Sequence, residues 1–221
     1  MEFSDVVRTT AAVRTYTGEP LDDATLFRIL DNARFAPSGG NRQGCHIIVV
    51  RDQGTRERLV ELTAAGARRY AAQGAAGENP WNPVVPTALT AAEIAATPVP
   101  DHLAQPLLTA SVVLVVTVDL SVVAATDSDL DRIGVVAGAS VYPLAWNILL
   151  SAREQGFGGT LTTMLAAAEP DVRALLDIPE EYALACVIPL GEPVKQLTKL
   201  RRQAVEEFVT LERFDGAPLT P

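Results

Sequence analysis

The sequence has few of the residues that usually carry metal or thiol chemistry. Its 221 residues include two cysteines, Cys45 and Cys186, and two histidines, His46 and His102. Because the cysteines lie far apart with no C-x-x-C spacing, we expect no structural zinc site and interpret both thiols as small buried apolar groups. The sequence also lacks a basic start with a continuous apolar core, and no apolar run is long enough to cross a bilayer. We therefore expect a cytoplasmic protein with no membrane partner.

Positive charge is also scarce. The chain has 18 lysines and arginines against 27 acidic residues, which gives a formal net charge of -9 and a pI near 4.7. A general nucleic-acid binder needs a basic face, so no nucleic-acid partner is expected, and an anionic ligand would need a local arginine cluster. With 48% hydrophobic and 20% charged residues, residues 1–221 fit one ordinary globular domain.

Several well-known catalytic and nucleotide-binding motifs are missing. Gly156 and Gly158 begin a G-x-G-x-x-G pattern, but Leu161 stands where its last glycine belongs. The chain also has no P-loop and no G-x-S-x-G elbow. The dinucleotide-fold, NTPase and hydrolase interpretations therefore lose their sequence support.

Hydrophobic periodicity predicts strands interleaved with helices, which is typical of an α/β or α+β domain. In chain order, the patterns predict helix 21–37, strand 46–50, helix 55–73, strand 111–120, helix 134–155, helix 169–177 and strand 183–191. Asp22 or Asp23 is the expected N-cap of the first helix, and Pro37 ends it. In helix 134–155 we expect a kink at Pro143 and a stop at Gly156.

Three segments raise questions of packing. The uninterrupted apolar run 111–120 is typical of a strand buried on both faces of a sheet. Helix 134–155 is apolar nearly all round, so it requires cover either from a second chain or from the core, and we expect Tyr142 and Trp146 to lie in the core rather than in a site. Residues 74–106 show no periodicity and contain Trp81; they are interpreted as a substrate lid, with a disordered surface loop as the alternative.

The stretch "FAPSGGNRQGCH" interrupts the chain between the first helix and the first strand. Pro37 ends the helix, and the Ser-Gly-Gly run 38–40 can present nearly bare backbone to a planar ligand. Asn41 and Gln43 then offer both donors and acceptors. Ordinary turn chemistry explains the proline and the glycines but not the amide pair, which favours a ligand site.

At this point four separated blocks carry a family resemblance. "VRTYTGEPL", followed by a capped helix and "ARFAPSGGNRQ", resembles the N-terminal signature of the nitroreductase family of FMN-dependent oxidoreductases. "AWNILLSAREQGFGGTLTT" resembles that family's central helix and glycine turn. "IPLGEPVKQLTKLRRQAVEEFV" resembles its last core strand and basic C-terminal element.

The resemblance implies an α+β, three-layer fold: a central mixed or antiparallel sheet flanked by helices, in an intertwined homodimer whose C-terminal arm, residues 195–221, wraps the partner. It also implies FMN at the subunit interface, NADH or NADPH as reductant, and a small acceptor such as a nitroaromatic or a quinone. Two alternatives stay open. One is a flavin-dependent dehydrogenase or oxidase reoxidised by oxygen, and the other is a non-catalytic flavin-binding protein.

The resemblance also assigns roles to residues. Arg14 corresponds to the cation near flavin N1 and O2, the turn 158–160 to the backbone donors near N5 and O4, and the adjacent Arg201 and Arg202 to phosphate ligands. It implies no catalytic side chain and no metal ligand. The cofactor-binding residues it implies are Arg14, Pro37, Ser38, Gly39, Asn41, Gln43, Gly158, Gly159, Thr160, Arg201 and Arg202.

The chain departs from the family pattern in two places. Thr10 and Ala12 stand where the family has Arg and Ser, which removes one phosphate-binding cation and one hydroxyl. Arg8 lies two positions earlier and is the candidate replacement. Gly44 and Cys45 replace the customary Pro-aromatic pair, which predicts looser packing beneath the ring.

Overall fold

A four-stranded antiparallel sheet with strand order β1-β2-β4-β3 forms the centre of the computed structural model, which describes residues 1–221. The strands are β1 Cys45–Val50, β2 Val112–Asp119, β3 Gly158–Gly159 and β4 Tyr182–Gly191. The helices are α1 Phe3–Thr9, α2 Asp23–Ala33, α3 Gln53–Ala75, α4 Ala91–Ala96, α5 Asp101–Thr109, α6 Tyr142–Glu154 and α7 Glu169–Leu176. The α+β class and the antiparallel sheet are thus confirmed.

Strand β2 is the central strand, as its apolar run predicts. It pairs with β1 on one side and β4 on the other, and its residues 112–118 are all buried. Leu114 and Val116 face a core cluster built with α2 and α6, whereas Val113 and Val115 face a second cluster built with α3, α5 and α7. Two helical layers therefore cover opposite faces of the sheet.

Local signals in the sequence set the bounds of several elements. Asp22 caps α2, because its carboxylate accepts a hydrogen bond of 2.6 Å from the Thr25 amide. Gly156 follows α6 with a φ of +86°, the left-handed conformation that terminates helices. Burial raises the pKa of the Cys186 thiol to about 12, which fits its expected role as a small apolar group, whereas Cys45 is only half-buried.

The expected kink at Pro143 is wrong. This proline lies in the first turn of α6, where its missing N–H costs no helical hydrogen bond, so it starts the helix instead of bending it. Helix α6 therefore begins at Tyr142, after a short 3₁₀ segment, Val136–Ser140. The core placement of two aromatics is also wrong within one chain, because Tyr142 and Trp146 are 45% and 43% exposed.

The excursion 74–106 contains two short helices that periodicity did not reveal. Helix α4 has six residues and begins with a capping box between Thr90 and Glu93, and most of α5 also falls in this range. Helices this short offer too few repeats for a helical period to stand out. Helix α1 was not predicted for the same reason. No helix of the structure combines the length and apolar character needed to cross a membrane.

Candidate cofactor site

Residues 13–17 run alongside the edge of the sheet and are tied to it by backbone hydrogen bonds. The Val13 amide donates to the Gly159 carbonyl oxygen at 2.8 Å, and the Thr17 amide donates to the Glu192 carbonyl oxygen at 3.0 Å. Because both ends of this short segment are bonded to the sheet, the backbone that carries Arg14 has a defined position beside β3.

Tyr16 anchors the same segment from inside. Its side chain is buried, and its hydroxyl lies 3.0 Å from both the Val13 and the Pro189 carbonyl oxygens. Burial raises the pKa of Tyr16, so the hydroxyl stays a donor. The ring also packs against Gly191, where a Cβ atom would lie only 2.7 Å from it.

The glycine pair of β3 is required by close packing. A Cβ atom on Gly159 would lie 2.4 Å from the Pro189 carbonyl oxygen, and one on Gly158 would lie 2.7 Å from the Val13 side chain. Both residues are buried and pair with the end of β4. Glycine is therefore needed here for the approach of neighbouring backbone, in addition to any contact with a ligand.

Arg14 and Thr160 line one cavity of about 140 Å³, together with Tyr70 and His102. Arg14 is exposed and belongs to none of the five ion pairs of the chain. No acidic side chain lines this cavity. Its charge is therefore set by an uncompensated guanidinium, which suits the polar, electron-accepting edge of a ligand.

The turn 37–43 forms the second part of the predicted site. Gly40, Asn41 and Gln43 have φ values of +60°, +53° and +52°. The Gln43 amide donates to the Ser38 hydroxyl oxygen at 2.9 Å, and the Gly39 amide donates to the Ser140 hydroxyl oxygen at 3.0 Å. Consecutive left-handed residues turn the chain sharply and leave backbone groups exposed at its outer side.

This turn borders a cavity of about 310 Å³ lined by Pro37, Ser38, Gln43, Cys45 and Ser140 among others. Gly39 and Asn41 lie in the same turn but do not line it. Burial raises the pKa of the Cys45 thiol, so the thiol presents an uncharged surface. Arg34 is the one arginine of this cavity and, unlike Arg14, it pairs with an acid, Asp31, at 2.6 Å.

The two cavities lie at opposite edges of the sheet. The turn cavity is lined by residues 45–47 of the edge strand β1, whereas the Arg14 cavity is lined by Thr160 and Leu161, which directly follow the other edge strand, β3. No residue lines both. One chain therefore does not bring the two halves of the predicted site together.

Arg201 and Arg202 are exposed and line neither cavity. The segment that carries them starts beside the end of α1, where the Gln196 side-chain amide donates to the Thr9 carbonyl oxygen at 3.0 Å. Arg153, a cation that sequence reasoning did not select, donates to the Thr9 hydroxyl at 3.0 Å. From residue 195 onward nearly every residue is exposed.

A larger cavity of about 460 Å³ adjoins the Arg14 cavity and shares Tyr70, Thr163 and Met164 with it. Pro80 and Trp81 form its outer wall. Sequence reasoning selected Trp81 but missed the others, because a tyrosine in a helical pattern and a Thr-Met pair in a loop carry no motif. The two cavities together make one groove on the α3–α5 face.

Known proteins resemble this chain along most of its length. A family model described as the nitroreductase family matches residues 7–192. A curated protein of Archaeoglobus fulgidus, whose name includes NADH dehydrogenase and NAD(P)H nitroreductase, is 38% identical over 64 residues. That match spans 29% of this chain and only 35% of the relative.

Solved structures share the fold at low identity. An iodotyrosine deiodinase bound to FMN and 3-iodo-L-tyrosine aligns with a TM-score of 0.69 and 21% identity, over 96% of this chain and 100% of the other. An NADPH:FMN oxidoreductase from Vibrio harveyi in complex with NAD+ aligns with a TM-score of 0.67 and 17% identity, over 96% of this chain and 78% of the other. Nitroreductase A from Vibrio parahaemolyticus aligns with a TM-score of 0.66 and 18% identity, over 100% of this chain and 79% of the other.

Proposed function

Because the chain belongs to the nitroreductase family, we propose that it is an FMN-dependent oxidoreductase that takes electrons from NADH or NADPH and passes them to a small electron-poor acceptor, such as a nitroaromatic or a quinone. FMN, when bound, supplies the hydride chemistry through its N5 atom. The observation that carries this proposal is the uncompensated Arg14 in a cavity with no acidic side chain.

The residues around that cavity fit a flavin in their chemistry. Arg14 has no protein counter-ion, and the hydroxyl of the buried Thr160 makes no hydrogen bond to the protein, so both are free for a polar ring edge. A fixed positive charge near N1 and O2 would stabilise negative charge that develops on reduction. Gly158 and Gly159 would bring backbone close to the ring, and Arg201 and Arg202 are the candidate phosphate ligands.

We further propose that the active form is a homodimer with both chains lining each site. None of the turn residues 37–43 lines the Arg14 cavity, so one chain leaves the predicted site without its second half. The turn bearing Pro37, Ser38, Gly39, Asn41 and Gln43 would complete it from the partner, because within one chain that turn lies at the opposite edge of the sheet. A second copy would also cover the exposed aromatics of α6.

The exposed C-terminal segment fits the same arrangement. Residues 195–221 include Phe208 and Phe214, which are 64% and 102% exposed, so these rings have nothing to pack on within one chain. An arm that wraps the partner would bury them and carry Arg201 and Arg202 toward the composite site. The single-domain organisation and the cytoplasmic location expected from the sequence stay predictions.

Optical spectroscopy tests the proposed activity. The purified protein with FMN added is expected to show a flavin spectrum, and anaerobic mixing with NADH or NADPH should bleach it quickly. A flavin-dependent oxidase of a metabolite would instead keep its colour with both nucleotides and lose it with the metabolite. Failure to take up FMN at all would overturn the proposal and favour a role without flavin chemistry.

A further inference from the structure

The wall of the larger cavity on the α3–α5 face is built by the chain that follows α3. The cavity of about 460 Å³ shares Tyr70, Thr163 and Met164 with the Arg14 cavity, so a molecule held there would lie next to the proposed cofactor site. Its volume falls in the range of small-molecule sites. The question is which residue shapes it and for what chemistry.

A buried amide and a carboxylate fix the wall in place. Gln73 is 2% exposed; its side-chain oxygen accepts from the Trp81 amide at 3.0 Å, and its nitrogen donates to Glu78 at 3.0 Å. Glu78 also accepts from the Thr87 hydroxyl at 2.6 Å and from the Ala88 amide at 2.8 Å. Hydrogen bonds from Thr87, Ala88 and Gln73 lower the pKa of Glu78, so the carboxylate is ionised at neutral pH. Three stretches of chain therefore meet at one polar centre.

Trp81 itself is held on both its backbone and its ring. Its φ is +54°, an unusual conformation for a large residue that persists only where the surroundings enforce it. The indole N–H points to the Gly66 carbonyl oxygen at 3.3 Å, and the Arg69 guanidinium carbon lies 4.1 Å from the ring centroid. Arg69 thus covers one side of the ring through a cation–π contact.

The lining of the cavity has no charged side chain. Its seven residues are Tyr70, Pro80, Trp81, Thr163, Met164, Ala166 and Ala167. An ammonium group placed there would lose hydration without gaining a counter-ion, because no acidic side chain lines this cavity or the adjoining Arg14 cavity. An apolar ring would instead gain contact with the indole and the methionine.

We propose that Trp81 is a specificity-determining residue of the electron-acceptor site, and that the Gln73–Glu78 pair fixes it so that the site admits uncharged aromatic molecules and rejects zwitterionic ones. The identification of the bound molecule as an electron acceptor rests on the proposed function, whereas the selectivity is a property of the cavity itself. This selectivity differs from that of an enzyme whose substrate is an aromatic amino acid, such as the 3-iodo-L-tyrosine bound to the deiodinase named above.

Binding of two matched nitroaromatics to the purified full-length chain, with and without FMN, tests the inference. Nitrobenzene is the uncharged probe and 4-nitrophenylalanine is the zwitterionic one, and calorimetry gives the Kd of each. We expect nitrobenzene to bind at least about tenfold more tightly than 4-nitrophenylalanine, and Trp81→Leu to weaken nitrobenzene binding about five- to tenfold, which corresponds to the roughly 1 kcal/mol of an aromatic contact. Val84→Ala, on an 82% exposed residue of the same segment, should leave both Kd values unchanged.

Two results would overturn the inference: equal affinity for the two probes, or a nitrobenzene Kd that Trp81→Leu leaves unchanged. The rate at which NADPH bleaches the flavin reports separately on the proposed function and should be the same in wild type and Val84→Ala. If FMN fails to bind while the probes still behave as expected, the proposed function is wrong and the selectivity of the cavity stands.

Discussion

The two halves of the predicted cofactor site are built in different ways. The Arg14 half is bonded to the edge of the sheet, with Tyr16 and Gly159 buried beneath it, whereas the Pro37 half is an exposed turn with three left-handed residues. The first half is positioned by the same packing that makes the core. The second half has few bonds to the rest of the chain and lies at the opposite edge of the sheet. A change in the first half should therefore damage the fold, and a change in the second should mainly affect ligand binding.

The largest effect is expected from Gly159→Ala in the sheet half. The added methyl group would lie 2.4 Å from the Pro189 carbonyl oxygen and 2.6 Å from the Leu190 side chain, and the carbonyl cannot move without shifting β4. We expect the free energy of unfolding to fall by about 3 kcal/mol, measured by urea denaturation. Gly74→Ala is the control, because Gly74 lies in α3 and its added methyl group would meet only Pro80, at an ordinary contact distance of 4.0 Å; the change should raise stability by about 0.5–1 kcal/mol. Equal results for the two variants would contradict the account.

Tyr16→Phe removes the buried hydroxyl that fixes the Arg14 segment, and should cost about 1–2 kcal/mol. It should also change the response to alkaline pH. Burial raises the pKa of Tyr16 above its unfolded value, so the native state keeps a proton that the unfolded chain loses above about pH 10. Wild-type stability should therefore fall more steeply than that of Tyr16→Phe as pH rises past 10. If the free energies of unfolding of the two proteins fall in parallel above pH 10, Tyr16 does not contribute to the pH dependence of stability.

A smaller effect is expected in the turn half from Gly40→Ala. The φ of +60° is unfavourable for alanine, but the nearest atom to the added methyl group is the mobile Arg42 guanidinium at 3.4 Å. We expect a loss of about 1 kcal/mol in the free energy of unfolding. A loss as large as that of Gly159→Ala would show that the turn is as tightly packed as the sheet, and the contrast between the halves would fail.

Sequence reasoning found most of what local chemistry encodes. The buried run of β2, the Asp22 cap and the Gly156 stop are each carried by a few adjacent residues, and the structure confirms them. Pro143 was misread because a proline predicts a break without saying whether it begins or interrupts a helix. The family resemblance selected residues at both edges of the sheet, but no pattern along the sequence shows that the two groups lie apart in one chain.

Tertiary contacts account for what the sequence could not predict. The Gln73–Glu78 pair and the placement of Trp81 arise where three stretches of chain meet, and none of them has a motif of its own. Tyr16 reads as an ordinary aromatic until Gly191 and Pro189 surround it. The exposure of Tyr142 and Trp146 likewise depends on what covers α6, which a single chain does not specify.

The central claim is that each FMN site takes its Arg14 half from one chain and its turn half from the other. It is tested by co-expressing two differently tagged variants and purifying the mixed dimer. One variant carries Arg14→Glu. The other carries Asn41→Gly and Gln43→Gly. These substitutions remove both side chains, and glycine adopts the left-handed backbone conformation of both positions without strain.

Bound FMN per dimer, determined by absorbance after denaturation, is the measurement. Each variant alone is expected to hold little FMN, because every site in its homodimer carries a defect. In the mixed dimer one site combines both intact halves and the other combines both defects, so half of the wild-type FMN content should return. A mixed dimer that holds no more FMN than either variant alone would show that both halves act within one chain, and would contradict the account.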